Sequence, residues 1–198
     1  MAEVKKVQVG NGSVGIHGGT AIVKMRKEMF MTMYEIAKEH RDLAKQAAGK
    51  DIHKHMNLEI KESMISILFS YTCLEAYINT IGKDRLGSDW RERQSTADKW
   101  TGVSEALATK KHQRPYIVFS EKDEPFKSFL ELTKIRVEYL VHRKAEFGDV
   151  VQTKYGRTEG TVNVLNCDAA EWACGVVRDM VKMLCENMDN PPSVDWLG

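Results

Sequence analysis

Neither sign of charge dominates this sequence, and that balance limits the partners it can attract. Lysine and arginine together number 29, against 28 aspartate and glutamate residues, which gives a formal net charge of +1. A protein with this balance has no bulk positive field that would steer it onto nucleic acid or an anionic membrane. Any contact with RNA must therefore be made by a local group of residues.

Long hydrophobic runs are also missing from the sequence. No stretch approaches the ~18 uninterrupted apolar residues of a membrane span, although 42% of the residues are apolar. The N-terminal region lacks the basic and then apolar order of a secretory signal. From these absences we expect a soluble, cytoplasmic protein with one main domain and no membrane contact.

The usual metal-binding and nucleotide-binding motifs are absent as well. The four cysteines are spread without a CxxC pair, so we expect no zinc or redox site. We interpret Cys174 and Cys185 as small, reduced core residues. The glycine-rich stretch GNGSVG lacks the GK[ST] ending of a phosphate-binding loop. We therefore expect neither a metal nor a cofactor.

Hydrophobic spacing divides the chain into helical segments with small β elements between them. Alternation of valine with polar residues predicts a short strand or hairpin over 1–18. Apolar residues at three- and four-residue steps predict four long helices, over 20–48, 57–82, 124–144 and 168–188. The polar region 83–123 predicts one or two short helices around Trp90 and Trp100, and β-branched residues around YGRTEG predict a hairpin over 148–166.

These elements together predict an all-α fold. We expect an up-and-down helical bundle of four long helices plus short helices, decorated by a small β-hairpin or strand. The corresponding domain limits are 1–18 for an N-terminal strand and turn, 19–190 for the bundle with its hairpin insertion, and 191–198 for a tail.

The helix predicted over 57–82 is the most apolar segment, so we place it in the middle of the bundle. Glu75 and Asn79 lie inside it, four residues apart and on one face. A carboxylate in such a place is tolerated only with a hydrogen-bonding or cationic partner. We therefore expect Glu75 to be paired.

The helix predicted over 124–144 carries Arg136 and His142, two side chains that are costly to bury. In an α-helix these positions are separated by about 120° around the axis and by about 9 Å along it. A joint site is most natural if the helix packs against its twin in a symmetric dimer. Glu138 lies four residues before His142, on the same face, where a carboxylate favours the protonated imidazole.

Three stretches of the chain resemble one known family. The segment KIRVEYLVHRK is similar to the R-x4-6-H motif of HEPN domains (higher eukaryotes and prokaryotes nucleotide-binding), with five residues between Arg136 and His142. SYTCLEAYIN is similar to the long buried helix with an internal Glu and Asn in several bacterial members. DKW followed by PFKSFLELTKIR fits their order of elements. The resemblance covers roughly residues 57–147.

The resemblance implies a helical homodimer formed through the 124–144 helix and, in many family members, RNA cleavage without a metal. Arg136 would then stabilise the phosphate charge, and His142 would be the general acid and base. Glu75, Asn79 or Glu138 would support them. One departure is that this chain has Val137 after the arginine, where the commonest pattern has a polar residue. An alignment anchored on LVH with four-residue spacing puts Val137 at the arginine position.

A structural role for the same residues stays open. Arg136 would pair with Glu75 and tie two helices together, while His142 would cap the helix end or pair with Glu138. Two functions therefore remain. One is an endoribonuclease in a toxin or anti-phage setting, and the other is a non-catalytic dimeric module that binds a partner protein, such as an antitoxin, or a nucleotide.

Overall fold

A computed structural model of the protein describes residues 6–9, 12–17, 20–25, 28–48, 52–110, 119–141 and 165–198. In these ranges the protein is mostly helical, which agrees with the predicted all-α class. The described helices are α1 (Met29–Ala47), α2 (Ile52–Leu86), α3 (Thr96–Lys110), α4 (Phe126–Ile135) and α5 (Cys167–Glu186). A π-helical segment, Arg136–Val141, continues α4. Short 3-10 turns occupy Gly87–Asp89 and Asp195–Leu197.

The N-terminal region forms an antiparallel sheet in the order β1 (Lys6–Val9), β2 (Gly12–His17) and β3 (Thr20–Met25). The prediction of a helix from Thr20 is therefore wrong for its first turns, and α1 begins at Met29. Thr20, Ile22 and Val23 are β-branched and favour strands. In the pairing of β3 with β2, Val23 lies opposite Val14. This pairing satisfies the backbone hydrogen-bonding groups of Thr20–Met25, which the three- and four-residue spacing had predicted to be helical.

Helices α1 and α2 pack against each other in antiparallel directions. The Ser66 hydroxyl of α2 donates to the carbonyl of Ala37 in α1 at 2.8 Å, while His40 of α1 contacts Glu62, one turn earlier in α2. Small side chains, Ala37 and Ser66 among them, are fully buried at this seam. Such small side chains allow the two helix backbones to approach closely. The long apolar helix α2 is therefore packed directly against α1.

Helix α5 packs on α1 and α2 and begins one residue earlier than expected. The prediction starts this helix at Asp168, but it begins at Cys167, and the Asn166 side chain caps it by accepting a hydrogen bond from the Ala169 amide at 2.9 Å. Asp168 therefore lies in the first turn, where a carboxylate complements the helix dipole. Cys174 and Cys185, interpreted from the sequence as reduced core residues, are free and buried.

The polar region 83–123 contributes more helix than its composition suggested. Helix α3 spans 15 residues and places Trp100 fully inside the core, where its ring lies 6.1 Å from that of Tyr77. The helix predicted over 124–144 is shorter as an α-helix, because α4 ends at Ile135 and the π-helical segment follows. The described part of the chain thus holds five α-helices, and the predicted hairpin over 148–166 lies outside it, apart from its final two residues.

The C-terminal tail packs back onto the core. The Trp196 ring lies 5.1 Å from Phe30, 5.5 Å from Tyr34 and 6.0 Å from Tyr77, measured between ring centroids. Leu197 beside it is 3% exposed. Residues 191–198, expected as a separate tail, therefore add aromatic contacts to the interface of α1 and α2.

By length and composition alone, the segment Asn57–Asp89 is apolar enough to cross a membrane, with a mean hydropathy of 1.2. Half of the residues in its most apolar part are buried inside the protein. The core helix of a soluble protein has the same properties, and α2 contacts α1, α3, α4 and α5.

Candidate functional site

Arg136 lies where the helix geometry changes. It follows Ile135, the last residue of α4, and its amide hydrogen-bonds to the carbonyls of both Leu132 and Thr133. It is also the first residue of the π-helical segment, a geometry that is rare and is often found at functional sites. The side chain is half-buried. Its guanidinium carbon lies 4.4 Å from the centroid of the Tyr71 ring in α2.

Tyr71 is held firmly beneath this guanidinium. It is 4% exposed, and its hydroxyl donates to the Thr96 hydroxyl at 2.9 Å. Its ring is nearly parallel to that of Phe129, with 6.2 Å between centroids and 7° between planes. Phe129 and Arg136 are seven residues apart, about two turns, and so lie on similar faces of their helix. Tyr71 contacts both of them.

Glu75 has a partner, as expected, but that partner is Thr96 and not Arg136. The Thr96 hydroxyl donates to Glu75 at 3.4 Å, while accepting the hydrogen bond from Tyr71. In the part of the chain that the structure describes, no ion pair joins Arg136 to Glu75. The structural interpretation in which these two residues tie α2 to α4 by an ion pair is therefore wrong. Glu75 nevertheless has the hydrogen-bonding partner that its place in α2 requires.

The charge of Arg136 is not neutralised by any described carboxylate. Among the described residues, its Nε is buried and has no hydrogen-bond acceptor. Buried donors in native proteins nearly always have a partner, and an exception calls for a physical explanation such as a missing ion or a catalytic role. A guanidinium stacked on an aromatic ring gains about 0.5–2 kcal/mol from the cation–π contact. Arg136 thus contacts an aromatic ring and has no described carboxylate partner.

The other predicted site residues are only partly described. Glu138 is exposed, and the Lys134 ammonium lies 4.0 Å from its carboxylate. Asn79 is half-buried one turn beyond Glu75. His142 lies outside the described residues, so its pairing with Glu138 stays a prediction. The separation of about 120° from Arg136 was derived for an α-helix, and the π-helical segment between them, with its wider i to i+5 turns, changes that angle.

Tyr71 and Thr96 were not recognised as site residues from the sequence. Tyr71 lies in the apolar segment predicted as the central helix, and Thr96 lies in the polar region 83–123. One signal was present, because Tyr71 precedes Glu75 by four residues and so shares its helix face. Nothing in the sequence indicated that Arg136 would reach that face.

A second polar contact, also missed in the sequence, joins α1 to α2. The His40 ring contacts the Glu62 carboxylate through Nδ1, and the Lys61 ammonium lies 3.3 Å from the other carboxylate oxygen. Burial alone would raise the pKa of Glu62, but the hydrogen bonds from His40 and Lys61 outweigh it and lower this pKa below its ordinary value. Glu62 lies about two and a half turns from Tyr71 along α2.

Thiol and metal chemistry have little basis in the described residues. Burial is the largest cause that raises the pKa of the Cys73, Cys174 and Cys185 thiols, which keeps them protonated at neutral pH. Cys167 is only half-buried, and burial together with the nearby carboxylates of Asp168 and Glu59 raises its pKa to about 11. Across the described ranges, no three His, Cys, Asp or Glu side chains are grouped so that they could hold a metal ion.

Comparison with protein-family models gives no match for this chain. Comparisons with curated proteins and with solved structures also give no match.

Proposed function

We propose that this protein is a metal-independent endoribonuclease of the HEPN type, acting in the cytoplasm as a homodimer in a toxin or anti-phage setting. The proposal includes the finer architecture expected from the sequence, a four-helix up-and-down bundle with a β-hairpin over 148–166. It places Arg136 and His142 at the reacting phosphate, with Glu75, Asn79 and Glu138 in support.

The observation that supports it best is the state of Arg136. The carbon of a half-buried guanidinium lies 4.4 Å from the centroid of the Tyr71 ring, and within the described chain this side chain has neither a carboxylate partner nor an acceptor for Nε. An arginine that served only to join helices would be expected to meet a carboxylate, and Glu75 is bonded to Thr96 instead. A phosphate group would suit this unpaired cation, because guanidinium and phosphate form paired, charge-assisted hydrogen bonds.

The chemistry follows from these two side chains. His142 removes the proton of a ribose 2'-hydroxyl, whose oxygen then bonds to the adjacent phosphorus. The bond from phosphorus to the 5'-oxygen breaks, and the imidazolium returns a proton to that leaving oxygen. Arg136 stabilises the negative charge that develops on the phosphoryl oxygens. The products are a 2',3'-cyclic phosphate and a 5'-hydroxyl end, with no oxidant, reductant or metal consumed.

A non-catalytic role is the second candidate, and exposed apolar side chains beside Arg136 favour it. Leu68, three residues before Tyr71, is 37% exposed, and Val137, directly after Arg136, is 36% exposed. A dimeric module of this kind would bind a partner protein, such as an antitoxin, or a nucleotide. Val137 also replaces the polar residue found at that position in the commonest HEPN pattern.

Incubation of RNA with the purified protein in EDTA separates the two candidates. We expect wild type to produce cyclic-phosphate ends, and His142→Ala and Arg136→Ala each to lower the rate by about 100-fold or more. Lys83→Ala is the control, because it removes an exposed cation that pairs with Glu92. Circular dichroism establishes that each variant is folded. If wild type and all variants are equally inert on transfer, ribosomal and single-stranded RNA, the nuclease proposal is wrong and the binding module replaces it.

A further inference from the structure

We propose that Tyr71 is the positioning residue for the Arg136 guanidinium at a phosphodiester-binding site. The inference rests on the proposed function for its substrate class, a phosphodiester of RNA. It also gives Tyr71 a role that the sequence assigned to Glu75. The basis is the stack of Phe129, Tyr71 and Arg136, in which only the outermost member is charged.

The stack joins a rigid interior to the half-buried arginine. Phe129 is fully buried and Tyr71 is 4% exposed, so neither ring can turn without disturbing the core. The hydrogen bond from the Tyr71 hydroxyl to Thr96, itself a buried residue, fixes the ring at its polar end. An arginine side chain has many rotamers, and a planar surface against its guanidinium removes much of that freedom before any ligand binds.

An aromatic ring can position the Arg136 guanidinium without cancelling its charge, which a carboxylate cannot do. A carboxylate held against Arg136 would occupy its N–H donors and cancel its charge, leaving little for a phosphate. A tyrosine ring attracts a guanidinium without carrying a negative charge, so it does not cancel the cation. In the structure the Arg136 guanidinium carbon lies 4.4 Å from the Tyr71 ring centroid, Glu75 is engaged by Thr96, and no described carboxylate pairs with Arg136.

The ligand that fits is therefore an oxyanion with two acceptor oxygens in one plane, such as a phosphodiester group. A guanidinium offers paired donors with that spacing. Preorganisation matters because a displacement of about 1 Å in a catalytic group can cost about 100-fold in rate. Tyr71 would act on the reaction only through Arg136, without touching the substrate.

Four variants, one of them a control, test the role of Tyr71. Tyr71→Phe keeps the ring and removes the hydroxyl, whereas Tyr71→Leu removes the ring. Tyr34→Leu is the matched control, because Tyr34 is also a buried tyrosine, 1% exposed, whose hydroxyl donates to the Cys174 carbonyl. Thr96→Val adds a milder change, since it leaves the ring in place and removes its hydrogen-bond acceptor.

The first measurement does not depend on activity. In nitrogen–proton spectra, the Nε–H signal of Arg136, assigned by its loss in Arg136→Lys, should be shifted upfield by the ring current of Tyr71. We expect that shift in wild type, Tyr71→Phe, Thr96→Val and Tyr34→Leu, and its loss in Tyr71→Leu. Titration with inorganic phosphate should move the same signal, and the affinity should fall only when the ring is removed. An unshifted Arg136 signal in wild type would overturn the inference. This result involves no substitution, so misfolding of a variant could not explain it.

The second measurement uses single-turnover RNA cleavage. We expect Tyr71→Leu to lower kcat by about 10- to 100-fold with a smaller change in KM. Tyr71→Phe should restore kcat to near wild type, and Tyr34→Leu should retain it. If Tyr71→Leu and Tyr34→Leu behave alike, Tyr71 is an ordinary core residue. A wild type that binds phosphate at a ring-shifted Arg136 but cuts no RNA defeats the proposed nuclease while upholding the positioning role.

Discussion

At Glu62, burial and hydrogen bonding act on one carboxyl group in opposite directions. The side chain is about 5% exposed, yet its pKa is lowered, because the hydrogen bonds from His40 and Lys61 outweigh the effect of burial. A group whose pKa is lower in the folded protein than its ordinary value of 4.5 stabilises the fold above that value. This stability is lost as the pH falls through the folded pKa.

Replacement of His40 tests this contact. We expect His40→Ala to lower the free energy of unfolding at neutral pH by about 1–3 kcal/mol, because it leaves a buried carboxylate short of a donor. His40→Gln keeps a donor and should lose less. Urea denaturation measures the free energy of unfolding of both variants. Equal losses in the two would show that His40 stabilises the protein by packing and not by its hydrogen bond.

Acid denaturation tests the direction of the Glu62 shift. Wild type should lose stability as the pH falls below about 4.5, while Glu62→Gln, already destabilised, should lose less over the same range. Glu92→Gln is the control, because Glu92 is exposed and pairs with Lys83 at the surface, where ion pairs contribute little. A Glu62→Gln curve parallel to that of wild type would contradict the lowered pKa.

At the scale of one element, α2 shows how a single helix serves several neighbours. It is 35 residues long, about 52 Å, and contacts every other described α-helix. Near its C-terminal end, Gly82 lies under the Trp90 ring, so closely that a Cβ atom there would overlap the ring. Gly102 in α3 has open space where a Cβ would stand. Of these two helical glycines, Gly82 has no room for a side chain as the structure stands, whereas Gly102 does.

Alanine substitutions at these two glycines should have effects of opposite sign. Alanine favours a helix over glycine by about 1 kcal/mol, so Gly102→Ala should raise the free energy of unfolding by roughly that amount. Gly82→Ala should instead lower it by about 1–3 kcal/mol, because overpacking against the Trp90 ring exceeds the gain in helix propensity. Thermal denaturation of the two variants measures both. Stabilisation by Gly82→Ala would mean that Trp90 moves aside easily.

At the scale of the whole molecule, the proposed site depends on pairing of two chains. Leu68 lies three residues before Tyr71 in α2, Val137 directly follows Arg136, and each is more than a third exposed. Exposed apolar side chains beside a polar site suit an interface between identical subunits. A dimer formed there would also bring two copies of the Arg136 helix close together.

Light scattering tests the dimer directly. We expect wild type to have twice the mass of one chain, and a Leu68→Lys, Val137→Lys double variant to be a monomer that has lost RNA cleavage. Leu58→Lys is the control, because Leu58 is an equally exposed leucine of α2, 42% exposed and about 15 Å from Leu68 along the helix. A monomeric wild type, or dissociation by Leu58→Lys as well, would remove the proposed interface.

The sequence by itself determined the helices and most of what they bury. Apolar residues at helical spacing indicated α1 from Met29 onward, α2 and α5, because a helix that must cover a core repeats its apolar residues every three or four positions. The same reasoning marked Arg136 as unusual, since a permanent cation is costly among apolar neighbours.

Tertiary structure alone decided which side chains meet. Strand pairing with β2 turned Thr20–Met25 from a predicted helix into a strand. Packing of α3 brought Thr96 to Glu75, and packing of α4 on α2 set Arg136 on Tyr71. Local spacing encodes the face of a helix, whereas the partner across that face depends on contacts between residues far apart in the chain. The sequence could therefore show that Glu75 needed a partner, but not that a threonine would be that partner.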